Sequence, residues 1–87
     1  MAVDLRSTFS KRLKQAIHDY GGPNATIRAY AKKIDIPENT LYGYTSGHVF
    51  PSVFVLYLLC SDLGVSADWL LGLSDVEERK NYSPHNE

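Results

Sequence analysis

The sequence predicts an all-α domain of five short helices, on three observations. Apolar residues recur at i, i+3, i+4 and i+7, the period of a helix with one buried face. Glycine and proline punctuate the chain at helical lengths, at Gly21-Gly22-Pro23, Pro37, Gly47, Pro51, Gly64 and Gly72. No strand-length alternation of apolar and polar residues persists.

Each element follows in order. Helix 1 is expected from about Leu5 to Tyr20, with Phe9, Leu13, Ala16, Ile17 and Tyr20 on one face, and Gly21-Gly22-Pro23 stops it. Helix 2 runs from Thr26 to Ile34 with the stripe Ile27, Tyr30, Ala31 and Ile34, capped by Asn24 or Thr26. Asp35-Ile36-Pro37 is the turn. Helix 3 runs from Pro37 or Glu38 to about Ser46, because proline is tolerated in a first turn, where its missing N–H would be unpaired anyway. Leu41 and Tyr44 face inward, Gly47 ends the helix, and His48-Val49-Phe50 is a loop. Helix 4, from Pro51 or Ser52 to Leu63, is nearly all apolar and is expected to be the central buried element. Gly64 stops it, Ser66 caps helix 5 from Ala67 to Leu71, and Gly72 closes that. Residues 1–73 form the expected domain, and the polar stretch SDVEERKNYSPHNE at 74–87 is expected to be a frayed tail or linker.

Composition bounds the function. Eighty-seven residues, 44% hydrophobic and 22% charged, suit one small globular fold with no large enclosed pocket. The single Cys60 lies in an apolar run, so it reads as a small buried hydrophobe, and no intramolecular disulfide points to secretion. The N-terminal MAVDLRSTFSKR carries charge where a signal peptide is apolar, and the run Val53 to Cys60 falls short of the about 20 residues that span a bilayer. A soluble, cytoplasmic protein is expected. His18, His48 and His85 are scattered, with no metal-ligand spacing, no glycine-rich phosphate loop and no nucleophile elbow. No catalytic residue, metal or cofactor is therefore expected.

Net charge is −1, but it is unevenly spread. Residues 1–50 hold seven Lys/Arg against four Asp/Glu (+3), and residues 51–87 hold two against six (−4), which together give −1. Such polarity can orient a protein on a polyanion, although ordinary surface scatter produces the same pattern.

The most informative segment is Thr26 to Gly47, two short helices joined by a tight turn, the second with a polar outer face. Ala31 allows close crossing, Asp35 tolerates the positive φ that the turn requires, and Ile36 and Leu41 fill the angle between the helices. Spacing alone leaves open any small helical bundle, whose hairpins share this pattern. A more specific signal follows: Pro51-Ser52, a long apolar helix, and Leu63-Gly64-Val65-Ser66-Ala67-Asp68-Trp69-Leu70-Leu71-Gly72. With Tyr30-Ala31 in helix 2 and the helix-closing Tyr44-Thr45-Ser46-Gly47, residues 26–75 resemble the helix-turn-helix domain of the phage lambda repressor and Cro class. This resemblance implies a five-helix lambda-repressor-like fold, with helices 2 and 3 as the helix-turn-helix. The chain departs from that pattern with Asp35 at the usual glycine, Pro37 at the usual Ser/Thr cap, Thr45 at a frequent Glu, and His48-Val49-Phe50 where a basic loop is common. These changes weaken the expected phosphate grip more than the fold.

The resemblance implies sequence-specific double-stranded DNA binding by a transcriptional repressor, with Glu38, Asn39, Tyr42 and Gly43 toward the bases. An Asn amide bonds adenine N6 and N7 together, and a Glu accepts from cytosine N4. Glu38 reads equally as a charge balancing the helix N-terminus, and Tyr42 as a packing residue. Gly43 costs helix stability, which implies a steric reason such as the DNA backbone or the Tyr42 ring. Expected phosphate contacts are Thr26, Ile27 through its backbone, Arg28, Thr40, Thr45, Ser46 and His48. Lys32 and Lys33 are lesser phosphate candidates that read rather as the solvated outer face of helix 2, and Lys11, Arg12 and Lys14 form the basic side of helix 1, whose bland reading is a solvated face. A homodimer on DNA is expected, with Val65, Trp69, Leu70 and Leu73 as its patch, Trp69 reading also as core. The rival expectation is a helix-turn-helix-fold interaction module, or antitoxin-like partner, with weak DNA binding.

Overall fold

The computed structural model describes residues 4–77, and among them the chain forms five α-helices: α1 (Leu5–Gly21), α2 (Ile27–Ile34), α3 (Glu38–Ser46), α4 (Val53–Leu63) and α5 (Ala67–Leu70). A 3-10 turn at Gly22–Asn24 links α1 to α2. Side-chain caps start four of the helices: Asp4, Thr26, Ser52 and Ser66 each accept from the backbone N–H three residues on. Left-handed residues stop three helices, Asp35 after α2, Gly47 after α3 and Gly64 after α4.

The core is centred on α1. Phe9, Leu13, Ala16 and Ile17 are buried at helical spacing, and they meet Tyr30 and Ala31 from α2, Leu41 and Tyr44 from α3, Leu59 and Cys60 from α4, and Trp69 and Leu70 from α5. The backbone of α1 lies beside all four other helices, whereas that of α4 lies beside α1 and α5 alone. This corrects the expectation that α4 is the central buried element. Only Leu59 and Cys60 of α4 are fully enclosed, while Val53, Phe54, Tyr57 and Leu58 face outward. Composition could not separate the two faces of α4, because both are apolar. Tyr20, expected on the buried face of α1, instead sits at the rim, edge-on to the Tyr30 ring with centroids 5.7 Å apart.

Two long-range clasps close the fold. Arg12 of α1 donates to the Trp69 carbonyl at 2.6 Å and the Ser74 carbonyl at 2.9 Å, and its guanidinium lies 5.1 Å from the centre of the Trp69 ring. It is therefore a structural tie, not part of a solvated basic face. Ser74 is thereby joined to the domain, and the Ser66 N–H donates to the Glu77 carbonyl at 2.8 Å. Residues 78–87 of the expected tail lie outside the described residues. The second clasp is Asp62 of α4, which accepts from the Tyr30 hydroxyl and from the Lys33 ammonium, each at 2.7 Å. Lys33 also sits 4.7 Å from the centre of the Tyr20 ring.

Burial pushes the Asp62 carboxyl upward, but the hydrogen bonds from Lys33 and Tyr30 and the Lys33 charge outweigh it and leave it below the ordinary value. The Tyr30 hydroxyl is pushed far up, first by burial and then by its bond to Asp62. The Lys33 ammonium is raised, first by its hydrogen bond to Asp62.

Candidate nucleic-acid interface

The surface built by α2, the turn and α3 begins at Thr26. Its extended backbone (φ −139°) aims the hydroxyl at the Ala29 N–H, which donates at 2.9 Å. That bond leaves the N–H groups of Ile27 and Arg28 outside the helical ladder, where the dipole favours an anion. The Ile27 side chain packs against the core, so only its backbone faces this end. Arg28 is exposed, and Lys32 follows one turn later. The two flank a shallow cleft shared with Ala31, Ile36 and Glu38.

Asp35 carries the turn. At φ 61° and ψ 45° it adopts the left-handed conformation, and its N–H donates to the carbonyls of Ala31 and Lys32. The Ile36 N–H donates to Ala31 at 3.0 Å, so the end of α2 is closed before α3 begins. Pro37 proves to be the residue before α3, not its first turn, and it provides no side-chain cap. The first N–H groups of α3 are left without that partner, above an exposed Glu38.

At about 100° per residue, Glu38, Asn39, Tyr42 and Ser46 fall on one arc of α3 and all are exposed. Leu41, Tyr44 and Thr45 are buried, although Thr45, seven residues on from Glu38, falls at the edge of the exposed arc by the helical period. The Tyr42 ring, 63% exposed, is a surface side chain and not a packing residue. Thr40 lies half-buried at the boundary.

Three expected contacts are revised by this geometry. Thr45 is enclosed, and its hydroxyl donates to the Tyr42 carbonyl at 3.2 Å, so it cannot reach a phosphate. Gly43 is half-buried, and a β-carbon there would come 3.1 Å from a Val49 methyl. Within the domain the crowding at this glycine comes from the return of its own loop, since the His48 and Val49 N–H groups both donate to the Gly43 carbonyl, at 3.0 and 3.3 Å. Lastly, Val65, Trp69 and Leu70 are enclosed in the domain's own core and offer no surface to a partner; of the expected dimer patch only Leu73, 75% exposed, is accessible.

The far end of α3 is fixed by a residue that sequence reasoning missed. Arg6, on the first turn of α1, donates to the Gly47 carbonyl at 2.9 Å and the His48 carbonyl at 3.1 Å, and lies 5.2 Å from the centre of the Phe50 ring. A cation at a helix C-terminus also complements the dipole. No local signal reveals it, because its partners lie 41 and 42 residues away. Beside this clamp, Ser46 Oγ and His48 Nδ1 are hydrogen-bonded at 2.7 Å and both residues remain exposed. Lys33 is tied to Asp62 of α4.

An exposed polar arc on the second of two helices, set by a tight turn and held from behind by α1, defines a helix-turn-helix protein. A helix-turn-helix family model matches residues 24–70, more than half of the 87-residue chain. The chain belongs to this family, the lambda-repressor-like helix-turn-helix domains, whose members are DNA-binding regulators. No curated protein and no solved structure matches the chain. Among the described residues no helix is long and apolar enough to cross a membrane.

Proposed function

We propose that this chain binds duplex DNA sequence-specifically, as a homodimer in the cytoplasm, and represses transcription in a prokaryote or its phage. The observation that carries this reading is the unpartnered polar arc of Glu38, Asn39 and Tyr42 on α3, the helix that a helix-turn-helix protein lays in the major groove. Asn39 reads adenine through its amide, Glu38 accepts from a cytosine amine, and Tyr42 meets a thymine methyl. Gly43 lets the helix and its loop lie close to the bases without contributing a side chain. The phosphates are held by the start of α2, through Thr26, the Ile27 backbone and Arg28, and by Thr40, Ser46 and His48 along α3 and its loop.

Selection of binding sequences from random duplex DNA, followed by titration of the Asn39→Ala variant, tests this reading. The variant should lose about 1–3 kcal/mol on the best site and relax one base position. Parent-like affinity and parent-like sequence preference in a folded Asn39→Ala protein would remove α3 as the reading helix.

A further inference from the structure

The outer face of α4 is apolar and exposed. Val53 is 84% exposed, Phe54 67% and Tyr57 64%, and Leu58 is exposed beside them. At about 100° per residue these four and Ser61 share one continuous arc, opposite the side that holds Leu59 in the core. Ser61 is the sole polar member, and no charge lies on the arc. Helices that are apolar all round are found with both faces covered.

We infer that this face is covered by a second copy of the same chain, α4 packing on α4 across a two-fold axis. Area supports it. Taking about 200 Å² for a bare aromatic side chain, the four apolar residues leave roughly 450 Å² uncovered. That lies in the range of functional patches on small proteins, on the order of 300–600 Å². Val49 and Phe50 are also exposed, in the loop that precedes α4. Two such surfaces then approach the about 1,000 Å² total that a specific interface requires. Charge supports the same occupant. In a two-fold contact each residue meets its own kind or a near neighbour, which is unfavourable for charges and favourable for a strip that has none. A foreign partner would find no charge on this arc to select it by.

The placement also serves the paired-half-site reading of the function, on which this inference rests for its consequence at DNA. The loop after α3 folds back on Gly43, and α4 begins seven residues after Ser46, so the patch starts within about 25 Å of the end of α3. Recognition helices facing half-sites about 34 Å apart lie roughly 17 Å from their axis, a distance this reach permits.

Sedimentation without DNA tests the inference. The parent should be largely dimeric at about 100 μM and dissociate on dilution, and the Phe54→Asp/Tyr57→Asp variant should lose at least about tenfold in association. Circular dichroism checks that the variant is folded, and the single Val53→Asp variant, at the most exposed position, gives a second reading. Leu73→Asp and Tyr42→Ala should self-associate as the parent does. A parent that stays monomeric at every concentration, or a folded double variant that still dimerises, overturns the inference; the first result assigns the face to another protein. A dimer that sediments as expected but binds no DNA leaves the inference in place and removes the functional reading alone.

Discussion

Arg12→Ala should be the most destabilising change available among the charged side chains of this domain. Arg12 joins α1 to the end of α5 and to Ser74, donating to two backbone carbonyls and stacking on the buried Trp69. Hydrogen bonds to a charged group are worth about 1.5–3 kcal/mol, and a partly desolvated cation over a Trp ring adds on the order of 1 kcal/mol. Two circumstances reduce the loss. The Trp69 carbonyl keeps a second donor, the Gly72 N–H at 3.1 Å, so it is not orphaned. The ion pair with Asp75 spans 3.5 Å to a fully exposed carboxylate and contributes little. The net cost is therefore about 2–3 kcal/mol, which in a domain of this size lowers Tm by roughly 10–20 °C. Thermal and urea unfolding followed by circular dichroism measure it. Arg12→Lys should fall between parent and Ala, because one ammonium cannot reproduce the guanidinium fork. Asp75→Ala should stay close to the parent. A fall of less than about 0.5 kcal/mol for Arg12→Ala would refute the clasp and return Arg12 to the solvated face.

Two further perturbations follow from the backbone and the Asp62 clasp. Asp35→Gly should raise Tm by about 2–4 °C, because glycine takes φ 61° without strain and only part of that gain is lost to a freer unfolded chain; an unchanged or lower Tm would mean that the Asp side chain itself holds the turn. Asp62 is held below its ordinary value when folded, so its contribution is present above about pH 4, where the unfolded carboxyl ionises, and is lost as pH falls from there through the lower folded value. The acid limb of Tm against pH should accordingly be shallower in Asp62→Asn than in the parent, and identical limbs would show that the clasp does not couple to folding.

The order of helices was legible because capping and stopping residues are local. Thr26, Ser66, Gly47 and Gly64 act within three or four residues of themselves, and each helix boundary falls within about two residues of its expected place. The positive φ at Asp35 was legible for the same reason. What the sequence concealed depends on which of two faces turns inward. Helix α4 is apolar on both, so its periodicity carries no direction, and its outer face was mistaken for core. Leu70 and Val65 were placed at a surface, and Trp69 was given both a surface and a core reading, because they close the apolar end of the domain, whereas the covering Arg12 lies 57 residues before Trp69. Thr45 follows Glu38 by seven residues, so the helical period set it beside the polar arc, and only the packing of α3 shows it enclosed. Arg12 was read as a surface cation and Arg6 was passed over because their partners are carbonyls, which leave no mark on side-chain spacing.

The salt dependence of binding to a selected duplex tests the central claim most directly, that the α2–α3 surface enters DNA. Each phosphate neutralised by a side chain contributes about −0.9 to the slope of log affinity against log salt. Arg28 in two protomers contributes about −2 to that slope, and Arg28→Ala should flatten it by about one unit per bound protomer. A parent slope near zero, or one that Arg28→Ala leaves unchanged, would place the contact elsewhere on the molecule.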